Sequence, residues 1–344
     1  MNKKKVYILI SLALIILCFA LYNLLLMPTY SKDKTITFKV DHGSTITDIA
    51  QQLKNSGLIR SVNAFKIYVK TKDYHHFQVG YYQLKPDMST KEIAYKINAG
   101  EVFFPNRITL TFKEGSTLLD MASTLGEKTN YSSSEILEIW NSDDYLNEVI
   151  ARYDFISKDI KDPSMKYSLN GYFFPETYFF ADENVSPEEV GHRMLQRMET
   201  VLDQHASTIK NSHYSVHEIL TLASIVEYEA KTEEDRPIIA GVFINRLKNN
   251  MKLESCATLE MATGIHKERY KNEDIKVNSP YNTYIVNGLP IGPGNCPGEL
   301  SIKAVLYPQN HDYYFFLSDI YGDSKVYYAK TLSEHNKLKN KYLQ

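Results

Sequence analysis

Two glutamates two positions apart, Glu227 and Glu229, close a run of sequence whose spacing predicts a helix. Ser215 followed by Glu218 is a capping box, in which the serine oxygen and the glutamate carboxylate satisfy N–H groups at a helix start, so the helix begins at Val216. At about 100° per residue, Ile219, Leu222, Ala223, Val226 and Ala230 form one apolar stripe, with Glu227 on one border and Glu229 on the other. A glutamate beside such a stripe is either an exposed flanking charge or a half-buried carboxyl. Desolvation of the second kind raises its pKa and suits it to general-acid work. Periodicity does not choose between the two positions.

Other catalytic signatures fail on inspection. His217-Glu218 begins an HExxH pattern, but position 221 is threonine, so the i, i+4 histidine pair of a zinc site is missing. No GxSxG elbow, Walker loop or dinucleotide-binding glycine pattern occurs. Ser31 and Lys34 match SxxK only within a short polar linker, and the ten histidines and three cysteines show neither metal-ligand spacing nor a CxxC pair. The reading is of an enzyme site that needs no metal or organic cofactor.

Residues 6–27 are free of charge and long enough to cross about 30 Å of hydrocarbon, and Lys3, Lys4 and Lys5 precede them. The expectation is a transmembrane helix over 6–27 behind a cytoplasmic tail, 1–5, with everything beyond a linker, 28–34, on the outer side. Leu25-Leu26-Met27 offers no small-residue cleavage site, so the anchor is expected to stay. Of 39 Lys and Arg, three are spent at positions 3–5, while all 41 Asp and Glu lie beyond them. That acidic balance, with no basic stripe, argues against nucleic acid as a partner. With 43% hydrophobic and 23% charged residues, the exported part is ordinary folded protein. The 26 tyrosines against one tryptophan are compatible with carbohydrate contact, and equally with a tyrosine-filled core.

Thr35-Ile36-Thr37-Phe38-Lys39-Val40 alternates as a strand, a turn occupies 41–45, and Ile46, Ile49, Ala50 and Leu53 mark a helix that Gly57 ends. A second helix over 62–69 and a strand over 77–84 complete a β-α-α-β order within residues 35–105. The pattern of strand, Gly-Ser-Thr turn and amphipathic helix recurs at Ile108-Thr109-Leu110-Thr111-Phe112, Gly115-Ser116-Thr117 and Leu118, Met121, Ala122, Leu125. Residues 106–168, with helices around Trp140, are expected to form a second small α+β unit. These repeats resemble the LysM module, which implies binding of N-acetylglucosamine-containing glycans.

Four further segments accompany Leu222-Ala223-Ser224-Ile225-Val226-Glu227: Asn170-Gly171-Tyr172-Phe173-Phe174-Pro175-Glu176, the helical run from Arg236 to Leu247, Ser279-Pro280-Tyr281-Asn282-Thr283-Tyr284, and Thr331-Leu332-Ser333-Glu334-His335-Asn336. In order and spacing, from about residue 170 to 336, they resemble the YceG-like (MltG) endolytic murein transglycosylases. The resemblance implies an α+β fold with one membrane helix, LysM-like units and a catalytic domain over 169–344. It implies cleavage of the MurNAc–GlcNAc β-1,4 bond of nascent peptidoglycan strands with 1,6-anhydro ends, at a bacterial cell membrane and beside wall-synthesis enzymes. It assigns the catalytic glutamate to Glu227 and substrate contacts to Glu229, Asn245, Glu254, Tyr281, Asn282, Thr283 and Tyr284. Cys256 stands where the family pattern often has an aspartate, and Ile291-Gly292-Pro293-Gly294-Asn295-Cys296 departs from its proline-rich loop. Two rival functions are a muramidase and a tethered glycan-binding scaffold without activity.

Cys256 and Cys296 are the two cysteines on the presumed outer side, both in loop-like sequence flanking the expected groove. They are expected to lie close together and to be able to form a disulfide, which in the chain-entropy model would stabilise by about 3 to 4 kcal/mol.

Overall fold

A computed structural model describes residues 3–29, 34–41, 44–74, 77–103, 107–267, 270–319 and 325–342; Ser31 of the SxxK match and the turn residues His42 and Gly43 lie outside them. The chain divides into two compact units, Met1–Arg107 and Ile108–Gln344.

In the first unit, α1 (Lys3–Leu26) covers the apolar run. The expectation of a transmembrane helix is not met as such, because no helix among the described residues is long and apolar enough to cross a membrane. Beyond it come β1 (Ile36–Val40), α2 (Ile46–Asn55), α3 (Val62–Thr71), β2 (Gly80–Leu84) and α4 (Thr90–Ala99). The β-α-α-β order matches the reading of the sequence, and β1 and β2 pair antiparallel with Phe38 opposite Tyr82. Alternation turns Phe38, Val40, Tyr82 and Leu84 inward onto Ile49, Leu53, Phe65, Ile93 and Ile97. Helix α4 was not expected, although Ser89 and Glu92 form a capping box that signals it.

The second unit starts with β3 (Ile108–Thr111), α5 (Leu118–Gly126), α6 (Ser133–Trp140) and α7 (Asp143–Arg152), followed by β4 (Thr177–Phe180). Here the expected boundary at residue 168 is corrected. Strand β3 pairs antiparallel with β4, Ile108 opposite Phe180, and Leu110, Trp140 and Ile160 share one core with residues as distant as Val305. The buried apolar residues described between 108 and 168 therefore belong to the core of the larger unit. Trp140 is fully buried, donates its indole N–H to the Pro187 carbonyl at 2.7 Å and meets Phe173 edge-on.

The rest of the unit is α8 (Pro187–Asp203), α9 (Ala206–Lys210), α10 (Val216–Glu229), α11 (Asp235–Lys248), α12 (Cys256–Thr263), α13 (Glu299–Leu306), the antiparallel pair β5 (Phe315–Ser318) and β6 (Val326–Ala329), and α14 (Leu332–Tyr342). This is a mixed α+β fold in which the sheets are small and helices form most of the core. At its centre runs α10, started by the Ser215–Glu218 capping box and packed against α11, α12 and α13. Every residue from Ile219 to Val226 is buried, so the expected single stripe is a full circumference. The polar members of that run bond within the helix, Thr221 to the His217 carbonyl and Ser224 to the Thr221 carbonyl.

Candidate active site

Because α10 is buried all round from Ile219 to Val226, the side chains of its last turn are the next to emerge, and Glu227 and Glu229 leave it into different surroundings. The Glu227 side chain is 7% exposed. Its Oε1 accepts from Nη2 of Arg236, in the first turn of α11, at 3.0 Å. Its Oε2 accepts from the backbone N–H of Gly298 at 3.0 Å. Both oxygens are therefore held, one by a cation and one by a backbone donor. Arg236 is itself fixed, donating from Nε to Ser301 Oγ and from Nη1 to the Thr232 carbonyl.

Gly298 is the N-cap of α13 and has no side chain of its own to cap that helix. A Cβ there would meet the carboxyl of Glu114, the far end of an exposed side chain, and would displace it. Glu114 lies on the turn after β3 and is exposed along much of its length, with its carboxyl end against Gly298. Burial of that carboxyl and the neighbouring charge of Glu227 push its pKa above the ordinary glutamate value, against the pull of Arg236.

The turn carrying Glu114 is tied to the 294–298 loop, with Gly115 N–H donating to the Cys296 carbonyl at 2.9 Å and Cys296 N–H to the Ser116 carbonyl at 2.8 Å. That loop is tied in turn to α10, since Asn295 Nδ2 donates to the Ser224 carbonyl and Gly294 N–H to Ser224 Oγ. Asn295 Oδ1 is buried without a partner. Gly171, with φ of +83°, brings its backbone against Pro293, and Asn170 donates to the Pro293 carbonyl while accepting from Leu118 N–H. A cleft of about 270 Å³ opens beside these residues, and Gly115, Lys166, Asn170, Tyr228, Tyr281 and Asn295 are on its walls. Gly115 joins the cleft to the carboxyl site, since a Cβ on it would meet Cγ of Glu227.

Glu229 leaves α10 on another side, toward a larger cavity of about 690 Å³ between α11, α12, β5 and α14. Its Oε1 accepts from Ser255 Oγ at 2.6 Å and from Ala257 N–H at 3.4 Å. Among the described residues no salt bridge reaches it, and burial pushes its pKa upward against its hydrogen bonds and the charge of Lys231. Glu254 and Tyr284 line the same cavity. Glu254 sits at φ of +49° and pairs with Arg246 at 3.2 Å. Of the segment expected to line one groove, then, Tyr281 belongs to the cleft near Glu227 and Tyr284 to the cavity near Glu229.

Three expected contact residues line neither space. Asn282 is fully buried, donates to the Ile275 and Val277 carbonyls and accepts from Tyr284 N–H. Thr283 is fully buried and bonds Thr258 Oγ1 and Ser255 N–H. Asn245 donates to the His311 and Tyr313 carbonyls. Their polar groups are spent on the backbone and on each other, so they set the course of the loops that carry Tyr281 and Tyr284.

The disulfide expectation is corrected as well, since both cysteines are free. Cys296 is fully buried and its Sγ accepts the Gly171 N–H at 3.3 Å, whereas Cys256 is exposed at the start of α12 with Tyr284 OH 3.6 Å from its sulfur. Each sulfur is turned to its own partner. Reading the sequence also missed Arg236, Gly298 and Glu114. Of these only Arg236 carried a signal, as a cation in the first turn of a helix, where the macrodipole disfavours one unless an acid is near.

Residues 38–341 match the model of the YceG-like family. A Bacillus subtilis protein named endolytic murein transglycosylase is 36% identical over 326 residues, covering 94% of this chain and 89% of that protein. A Streptococcus pneumoniae protein of the same name is 33% identical over 334 residues, 93% of this chain and 60% of that longer protein. A crystal structure of a yceG-like protein from Listeria monocytogenes superposes with a TM-score of 0.64 at 35% identity, covering 90% of this chain and 100% of that one.

Proposed function

The chain belongs to the YceG-like family, and on that footing we propose that it is a peptidoglycan lytic transglycosylase whose acid and base is Glu227. One observation carries the assignment to Glu227: a nearly buried carboxyl group, gripped on both oxygens by Arg236 and Gly298, behind Gly115 on the wall of the cleft. The reaction needs a proton on the leaving O4 of GlcNAc and a base for the C6 hydroxyl of MurNAc, which attacks C1 and closes the 1,6-anhydro ring. One carboxyl performs both transfers in turn, because the substrate supplies the nucleophile.

Mass analysis of products from full-length protein on purified glycan strands tests this. Anhydro ends, lighter by one water than reducing ends, are the expected result, and they should disappear in Glu227→Gln. A second reading, hydrolysis, draws on Glu114, a second carboxyl beside Glu227 of the kind that hydrolytic glycosidases use. Reducing muramyl ends as the first product would select it.

The setting we propose is a bacterial cell membrane, with α1 as a single-pass anchor, the N-terminus inside and both units outside, acting on nascent strands near the wall-synthesis enzymes. Lys3–Lys5 ahead of the uncharged run support that orientation. The β-α-α-β unit is proposed to bind glycan in the manner of the LysM modules it resembles. Retention in the membrane pellet after a carbonate wash, with both units open to external protease, is the expected outcome for the anchor.

A further inference from the structure

We infer that Glu114 is a positioning residue for this reaction, holding in common with Glu227 the single proton that the catalytic cycle uses. The inference rests on the assignment of acid–base chemistry to Glu227. Its geometric basis is Gly298, whose N–H donates to Glu227 Oε2 and whose Cα is covered by the Glu114 carboxyl, so that one glycine separates the two acids. Arg236 is the cation of the cluster, bonded to Glu227. One guanidinium, one carboxylate and one protonated carboxyl make an electrically neutral set, whereas two carboxylates so close together would repel.

The groups facing Glu114 are Glu227 and Arg236, with Glu233 and Glu299 further acids that disfavour its charge. In the resting site both oxygens of Glu227 are occupied as acceptors, by Arg236 Nη2 and Gly298 N–H. The proton therefore belongs on Glu114, where burial and three neighbouring acids favour the neutral form. With substrate in place, Glu114 passes that proton to Glu227, and Glu227 passes it to the departing O4 as the C1–O4 bond breaks. The C6 hydroxyl then forms the C6–O–C1 bond and returns its own proton to Glu227. The pair ends with the one proton it began with, and no water or other reagent is consumed.

The test is the pH dependence of turnover for full-length Glu114→Gln against the unaltered chain, read as release of 1,6-anhydro ends. Without the second acid the cluster loses the carboxyl whose neutral form its surroundings favour. The alkaline limb of kcat should therefore move down by about one pH unit. At neutral pH kcat should fall about ten-fold or more, with KM little changed. Glu114→Asp, which keeps a carboxyl, should restore part of the limb. Since Glu114 is largely exposed, Glu114→Ala serves as a second variant with the same expected shift should the glutamine form not fold.

A limb that stays in place overturns the inference, and so does a loss equal at every pH, which a merely structural role would give. Those results differ from failure of the functional assignment itself, in which the unaltered chain releases no anhydro ends at all.

Discussion

Glu227→Gln removes a charge and, less obviously, an acceptor. Two donors, Arg236 Nη2–H and Gly298 N–H, each 3.0 Å away, point at the two oxygens of Glu227. An amide has one oxygen, so either rotamer leaves an NH₂ facing a donor. Breaking a buried ion pair by removing one partner costs about 3–5 kcal/mol at worst. Here the pair is 12% and 7% exposed, but Arg236 keeps Ser301 and the Thr232 carbonyl, so the lost contact is nearer the cost of one hydrogen bond to a charged group, about 2 kcal/mol. The chain has one tryptophan, Trp140, buried in the second unit, so its fluorescence in urea follows that unit alone and avoids treating a two-unit chain as two-state. A lower urea midpoint corresponding to about 2 kcal/mol is expected, together with loss of at least about 99% of cleavage, the range for removing a general acid–base group. An unchanged midpoint would mean that the two donors do not hold the carboxylate, and retained cleavage would remove Glu227 from the chemistry.

Glu229→Gln is expected to keep measurable cleavage and to change how stability depends on pH. The folded-state pKa of Glu229 is raised above its ordinary 4.5, so the native state holds a proton that the unfolded chain releases, and stability should fall as pH rises from about 4.5 through the folded value. The amide variant should lose that fall and be the more stable form at pH 8, as urea midpoints at pH 4.5 and 8 will show. Alkylation of the native chain should label Cys256 and spare Cys296, whose thiol burial pushes up to about 12, and non-reducing peptide maps should contain no peptide joining the two. Gly298→Ala has a permitted backbone, φ of −76°, yet its Cβ collides with the Glu114 carboxyl, so turnover should drop about ten-fold while Trp140 fluorescence stays native; an unaffected rate would contradict the close packing of Glu114 on Gly298.

Local signals in the sequence were read well where the interaction itself is local. The Ser215–Glu218 box started α10 where expected, and the alternation of residues 35–40 placed Phe38 and Val40 inward. Signals that depend on distant partners were misread. Thr221 and Ser224 look like a polar side of α10, but bonds along the helix hide their hydroxyls and let it run through the core. Asn282 and Thr283 look like substrate contacts in a turn-rich stretch, yet they serve to hold that stretch in place. The Gly-Ser-Thr echo at 115–117 suggested a second independent module, whereas β3 completes its sheet only with β4. Glu114 was invisible because its neighbours, Glu227 and Gly298, come from elements far along the chain.

The carboxyl site is a consequence of how two helix ends meet. Glu227 stands in the last turn of α10, where the helix dipole disfavours an anion. It is held there because the opposite end of another helix, α13, arrives with its cap position vacant: Gly298 carries no side chain, and its N–H bonds Glu227 instead. Glu227 does for α13 what the glutamate of a capping box does from within a helix, and the closing of α10 on α13 builds the site and caps the helix together. A residue in this position is subject to two demands. Arg236 and Gly298 hold it in one place, which favours proton transfer in a defined direction, and the same two donors occupy the oxygens that must also serve the substrate. A second acid pressed against the same glycine resolves that conflict, which is why the chemistry of this site is better ascribed to the cluster of Glu114, Glu227, Arg236 and Gly298 than to one glutamate.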